Sequence, residues 1–124
     1  MSSDKHQEFY VKFWGTRGSI ACAGPDTLRY GGNTACLEVM CANRRLIFDG
    51  GTGLRKLGRE IAQQGPTEID LFLTHTHLDH IIGLPFFVPF HIPGLNPRLW
   101  AGHLLPDRTL KGTLSEMMQA PLFP

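Results

Sequence analysis

The hydrophobic pattern opens at Glu8-Phe-Tyr-Val-Lys-Phe-Trp14, where aromatic and β-branched residues crowd together and predict a strand. Residues 20–33 hold Gly24-Pro25 and Gly31-Gly32-Asn33, a composition that predicts a long loop. Thr34–Met40 and Arg45–Phe48 read as a second and a third strand, and the short link Cys41-Ala-Asn-Arg44 suits a hairpin. Asp49-Gly-Gly-Thr-Gly53 then breaks the period of two. Leu54, Leu57 and Ile61 recur at helical spacing opposite Arg55, Lys56, Arg59 and Glu60, which predicts an amphipathic helix to Gln64 with Gly65-Pro66 as its stop. Glu68–Thr74 alternates and then runs apolar, as a strand covered on both faces does. A helical start at Asp79 is fragmented by Pro85 and Pro89. Arg98–Ala101 predicts a short strand. Thr109–Gln119 predicts a helix with Leu110, Leu114, Met117 and Met118 on its apolar face. Three strands followed by alternating helices and strands make an α/β protein that opens with an antiparallel hairpin.

Composition narrows this picture. A chain of 124 residues matches one domain on the usual scale of ~100–200 residues. With 42% hydrophobic and 19% charged residues, disorder driven by charge is excluded. The net charge is +1, and neither half concentrates basic residues, so the chain offers no dedicated surface for duplex nucleic acid. A small phosphorylated substrate is compatible with that balance. Residues 1–8 lack the apolar core of a signal peptide. The apolar run Ile81–Phe90 is interrupted by Gly83, Pro85 and Pro89 and falls far short of the ~20 residues that span a bilayer, so no membrane partner is expected. Three cysteines without a Cys-x-x-Cys pair argue against a disulfide framework, make the cytoplasm the expected compartment, and suit small buried hydrophobes.

The chemistry concentrates in Thr74-His-Thr-His-Leu-Asp-His80, where three of the chain's six histidines fall within six residues. Side chains two apart in an extended segment point the same way, ~6.6 Å apart along the strand, so His75 and His77 can converge on one metal ion. Asp79 and His80, at the turn into a helix, can face a second. Imidazole and carboxylate donors suit zinc, with manganese or iron as other occupants. The competing reading makes these surface histidines with Asp79 as a helix N-cap.

Three motifs then carry a resemblance over essentially the whole chain: His75-x-His77-x-Asp79-His80 with Ile-Ile-Gly-Leu-Pro85; Phe48-Asp-Gly-Gly-Thr-Gly53; and Phe13-Trp-Gly-Thr-Arg-Gly-Ser19 with Tyr30-Gly-Gly-Asn-Thr-Ala-Cys36. The chain resembles the N-terminal half of a metallo-β-lactamase-fold hydrolase, in the subgroup near ribonuclease Z and the cyclic phosphodiesterases. The resemblance implies an αββα sandwich of which residues 1–124 form a single partial domain. It also implies two zinc ions in a complete site, the first held by His75 and His77 and the second by Asp79 and His80. A metal-bridging hydroxide would attack a small phosphodiester, with Asp79 as both ligand and catalytic group. Thioester or lactam hydrolysis at the same centre is the enzymatic alternative, and an inactive truncated remnant is the other. A complete site needs two further histidines and a bridging aspartate. His91, His103 and Asp107 lack a matching motif around them, so these ligands are expected from a later half of the fold.

Other positions rank lower. The resemblance implies that Asp49 orients a ligand histidine, a plain turn residue being the alternative reading. The turn Gly15–Ser19 with Arg17, and Asn33, are candidates for touching substrate. Phe86, Phe87 and Phe90 are expected to pack in the core or a lid. A strand covered on both faces, with only one helix available nearby, predicts an open apolar face and self-association of these residues when alone.

Overall fold

The computed structural model describes residues 9–123, so the polar leader and the expected strand start at Glu8 lie outside the described residues. The strands are β1 (Phe9–Gly15), β2 (Cys36–Cys41), β3 (Arg44–Phe48), β4 (Ile69–Phe72) and β5 (Arg98–Trp100). The helices are α1 (Gly53–Gln64), α2 (Leu78–Ile81) and α3 (Leu110–Met117). One sheet runs in the order β1-β2-β3-β4-β5, antiparallel from β1 to β3 and parallel from β3 to β5. The parallel pairs follow from crossovers through α1 and through the segment holding α2, as parallel neighbours require.

Local chemistry sets the element ends. The β2–β3 hairpin turns on Ala42 and Asn43 alone, both at positive φ (50° and 65°), the geometry of a tight two-residue hairpin turn. α1 stops at Gly65, whose φ of 86° suits glycine. α3 starts where the Thr109 hydroxyl accepts the N–H of Gly112. Pro85 and Pro89 leave only 3₁₀ turns at Leu84–Phe86 and Val88–His91. Phe87, between the two turns, is fully buried and Phe90 packs on it at 5.1 Å, whereas Phe86 is exposed.

Among the described residues, the core cluster lies on one side of the sheet. Leu54, Leu57 and Ile61 of α1 join Cys36, Ile47, Ile69, Leu71, Leu73, Leu84 and Phe87, and α3 packs at the margin of this cluster. The same face carries a buried ion pair, Arg45 Nε to Glu38 Oε2 at 2.8 Å, completed by Trp14 Nε1 on Glu38 and by Arg45 on Gln64 Oε1 of α1. Both carboxylate oxygens of Glu38 and two nitrogens of Arg45 thus have partners, which helps a buried charge pair to be tolerated. Burial pushes the Cys36 thiol well up, with Glu38 and Asp49 adding to the effect, so it stays protonated. The expectation that every cysteine is buried needs correction: Cys22 is half-buried and Cys41, at the hairpin, is exposed.

The register places Phe9, Val11 and Phe13 of β1 on the opposite face, in line with Leu37, Val39, Leu46, Phe48, Phe72 and Trp100. Only one polar cluster interrupts it. Asp70 accepts Arg98 Nε at 2.8 Å, Arg98 NH2 at 3.0 Å and Trp100 Nε1 at 3.0 Å, with Arg44 at 3.4 Å. Hydrogen bonds from Arg98 foremost, then Trp100, lower its carboxyl to about 2. A depressed carboxylate pKa stabilises the fold above the usual carboxylate range and loses that contribution as pH falls toward the folded value. The urea midpoint of the wild type is therefore expected to drop between about pH 4 and pH 2. Asp70→Asn should flatten that part of the profile. A variant profile parallel to wild type would remove Asp70 as the cause. Among the described residues, no helix is long and apolar enough to cross a membrane.

Candidate metal centre

The carboxyl ends of β1, β3 and β4 share one edge of the sheet, where ligands collect in α/β folds. β4 delivers Thr74–His77, and the chain then turns into α2 with Asp79 and His80 in its single turn. β3 delivers Asp49, whose φ of 67° swings the chain away from the sheet. Asp is among the few residues that adopt this left-handed geometry at modest cost. Glycines let the two loops touch. Gly50 N–H donates to the His80 carbonyl at 2.7 Å, and Gly83 N–H returns to the Gly50 carbonyl at 2.8 Å. A Cβ on Gly51 would run into the Thr34 hydroxyl and lie 2.6 Å from the Asp79 carbonyl. Gly51→Ala is therefore expected to cost on the order of 1–3 kcal/mol. A thermal midpoint within a degree of wild type would show that the seam has slack.

The three histidines cluster. The His75 ring lies 4.5 Å from the His77 ring and 4.1 Å from the His80 ring, centroid to centroid. The structure thus joins the two expected pairs into one group, with His75 between the others. His77 is exposed, while His75 and His80 are half-buried. Asp79 does not cap the helix: His77 occupies the N-cap position and makes no side-chain cap. Instead Asp79 Oδ2 accepts the Ser19 N–H at 2.9 Å and lies 3.4 Å from His80 Nε2. The Ser19 N–H is the main reason the Asp79 carboxyl is held below its ordinary value.

Asp49 is buried and meets the cluster twice. Its Oδ1 accepts the Thr74 N–H at 2.8 Å, and both oxygens lie within 3.0 Å of the Thr74 hydroxyl. Its Oδ2 also lies 3.2 Å from His80 Nδ1, but off the line a hydrogen bond needs, and that buried nitrogen has no partner among the described residues. The remaining expected residues sit apart from the histidines. Arg17 Nε donates to the Ile20 carbonyl within its own turn, and Asn33 Oδ1 accepts the Thr52 hydroxyl. His91 contacts the Pro85 carbonyl at 3.4 Å. His103, after β5, reaches the rim, with Nε2 3.4 Å from the Thr76 hydroxyl.

The donors fit a divalent ion in kind, since three imidazoles cluster after β4 and the Asp79 carboxylate stands 3.4 Å from His80 Nε2. They do not complete a coordination shell: among the described residues no three of His, Cys, Asp or Glu converge as one ion requires. Sequence reasoning missed Thr74 and Ser19. A hydroxyl directly before the histidine run at a strand end was the available signal for Thr74. Nothing local marked Ser19, which meets Asp79 across 60 positions.

Structural comparison gives 87% coverage of this chain by a diphosphatase of the PhnP family, with a TM-score of 0.56 and 20% identity. The fold is that of the metallo-β-lactamases. The matched part of the chain covers 46% of that diphosphatase chain, so the chain spans about half of its length. A protein described as a metallo-β-lactamase of Thermotoga maritima matches 64% of the chain and 39% of its own, at 24% identity and a TM-score of 0.38. In sequence, ribonuclease Z of Archaeoglobus fulgidus is 36% identical over 77 residues. That match spans 61% of this chain and 22% of the relative, so the chain covers about a fifth of that protein's length. No protein-family model matches the chain.

Proposed function

We propose that this chain supplies His75, His77, Asp79 and His80 to a divalent metal centre, with zinc the best-suited ion, that hydrolyses phosphodiesters. The observation that carries the reading is the three-ring cluster beside Asp79 with His80 Nδ1 buried and unpartnered. The choice of phosphorus over carbonyl chemistry draws on the two relatives, whose names denote a ribonuclease and a diphosphatase. An ion in such a site supplies Lewis acidity and lowers the pKa of water toward ~7. The chain's own residues do the positioning. The Ser19 N–H fixes the Asp79 carboxylate and favours its charged form. His75 packs against both other rings and so holds the three histidines in one cluster. Asp49 holds Thr74 at the end of β4, and so fixes where the histidine run leaves the sheet.

A substrate panel tests the reading on the protein with its whole catalytic domain. Bis-p-nitrophenyl phosphate, a thioester and a lactam would be offered with zinc or manganese and again with chelator. Chelator-sensitive turnover of the phosphodiester at least tenfold above the other two is expected. Preference for the thioester or lactam would overturn the phosphodiester assignment, and chelator-insensitive turnover would overturn the metal.

A further inference from the structure

Thr74 touches both a carboxylate and an imidazole of the site. Its hydroxyl lies 2.8 Å from Asp49 Oδ2, 3.0 Å from Asp49 Oδ1 and 3.0 Å from His75 Nδ1. A hydroxyl has one proton and two lone pairs, whereas an ionised carboxylate can only accept. The Thr74 proton therefore goes to Asp49, and the hydroxyl oxygen is left to accept from His75. The reverse assignment, with Thr74 donating to Nδ1, would set its lone pairs against the carboxylate at 2.8 Å. The Thr74 N–H on Asp49 Oδ1 fixes the backbone beneath this arrangement, and a β-branched side chain has few rotamers to leave it by.

We propose that Thr74 is a positioning residue that transmits Asp49 to His75, holding that ring as its Nδ1–H tautomer with Nε2 unprotonated. Asp49 thus orients His75 through a hydroxyl and approaches His80 directly. Such a ring presents Nε2 as a lone-pair donor with no tautomer change needed on binding. That consequence rests on the metal reading above. The tautomer itself does not.

The test uses the metal-free 124-residue chain labelled with ¹⁵N-histidine, with magic-angle-spinning NMR, which tolerates any state of association. The His75 signals are assigned by their loss in His75→Gln. At about pH 8, where an ordinary imidazole is neutral, the wild type should show Nδ1 protonated and Nε2 bare. Thr74→Ser keeps the hydroxyl and should keep that pattern. Thr74→Val keeps the shape without the hydroxyl and should move the proton to Nε2, the form a free histidine side chain favours. Zinc titration of the same proteins should show about 10–100-fold weaker binding in Thr74→Val and near-wild-type binding in Thr74→Ser. A wild-type His75 protonated on Nε2, or an unchanged Nδ1–H pattern in Thr74→Val, would overturn the proposal. If Thr74→Val does not fold, the wild-type and Thr74→Ser spectra still decide it. The expected tautomers without any zinc uptake would overturn the metal reading and leave the role of Thr74 standing.

Discussion

Expressed alone, residues 1–124 are expected to self-associate at micromolar concentration. α1 packs on the sheet face that holds the core and α3 lies at the margin of the same cluster, and the other face is left to aromatic and branched side chains. Phe9 and Phe13 of β1 are each 68% exposed, and Trp100 of β5 is 51% exposed. Between these edges Phe48, Phe72 and Trp100 stack as a ladder with ring spacings of 5.4 and 6.2 Å. Apolar side chains of all five strands share this face, broken by the Asp70 cluster, and a large exposed apolar patch on a soluble chain favours association. Asp70, the one carboxylate on it, is matched by Arg98 and Arg44, so no unpaired negative charge there opposes a second copy. β1 and β5 also end the sheet with unpaired edges, a second route to pairing between chains. Size-exclusion chromatography with light scattering should give masses of two or more chains. Phe13→Asp, at an exposed position, should shift the distribution toward monomer. A sharp 13.8 kDa peak with a cooperative thermal transition would show that the chain closes its own core.

Replacing Asp79 by Ala is expected to lower metal-dependent phosphodiester turnover at least about 100-fold in the protein with its whole catalytic domain. The carboxylate is placed rather than free: the Ser19 N–H holds one oxygen, and His80 Nε2 stands 3.4 Å from the same atom. Ala deletes a donor and also orphans the Ser19 N–H, so fold and chemistry need separation. Asp79→Asn does that, because its amide oxygen still accepts from Ser19 while the negative charge is gone. It should keep the thermal midpoint within a few degrees and still lose most of the rate. Wild-type turnover in Asp79→Ala would remove Asp79 from the chemistry.

The elements were legible because local signals agree with the fold. Leu54, Leu57 and Ile61 mark α1, and the buried triplet Ile69, Leu71 and Leu73 marks β4. The differences come from long-range contacts. β2 begins at Cys36 rather than Thr34, because the Thr34 N–H donates to the Thr52 hydroxyl and the Ala35 carbonyl accepts Gly51. β4 ends at Phe72 rather than Thr74, because Asp49 takes the Thr74 N–H out of the ladder. In the site, the spacing of His75, His77 and His80 announced the cluster, and the residue type of Asp49 after a strand announced its support. The partners that orient these groups were hidden. Ser19 to Asp79, Arg98 to Asp70 and Trp14 to Glu38 join residues far apart in the chain, and no periodicity encodes such pairs.

Equilibrium dialysis of the chain against zinc, beside its His77→Ala variant, tests the assignment of the metal centre most directly. Zinc prefers four ligands, and this chain offers two per ion by the expected pairing, so uptake should be saturable but reversible. The metal should leave on exhaustive dialysis into metal-free buffer, and His77→Ala should abolish most of the uptake. Two zinc ions retained per chain after that dialysis, or equal uptake by the variant, would contradict the account.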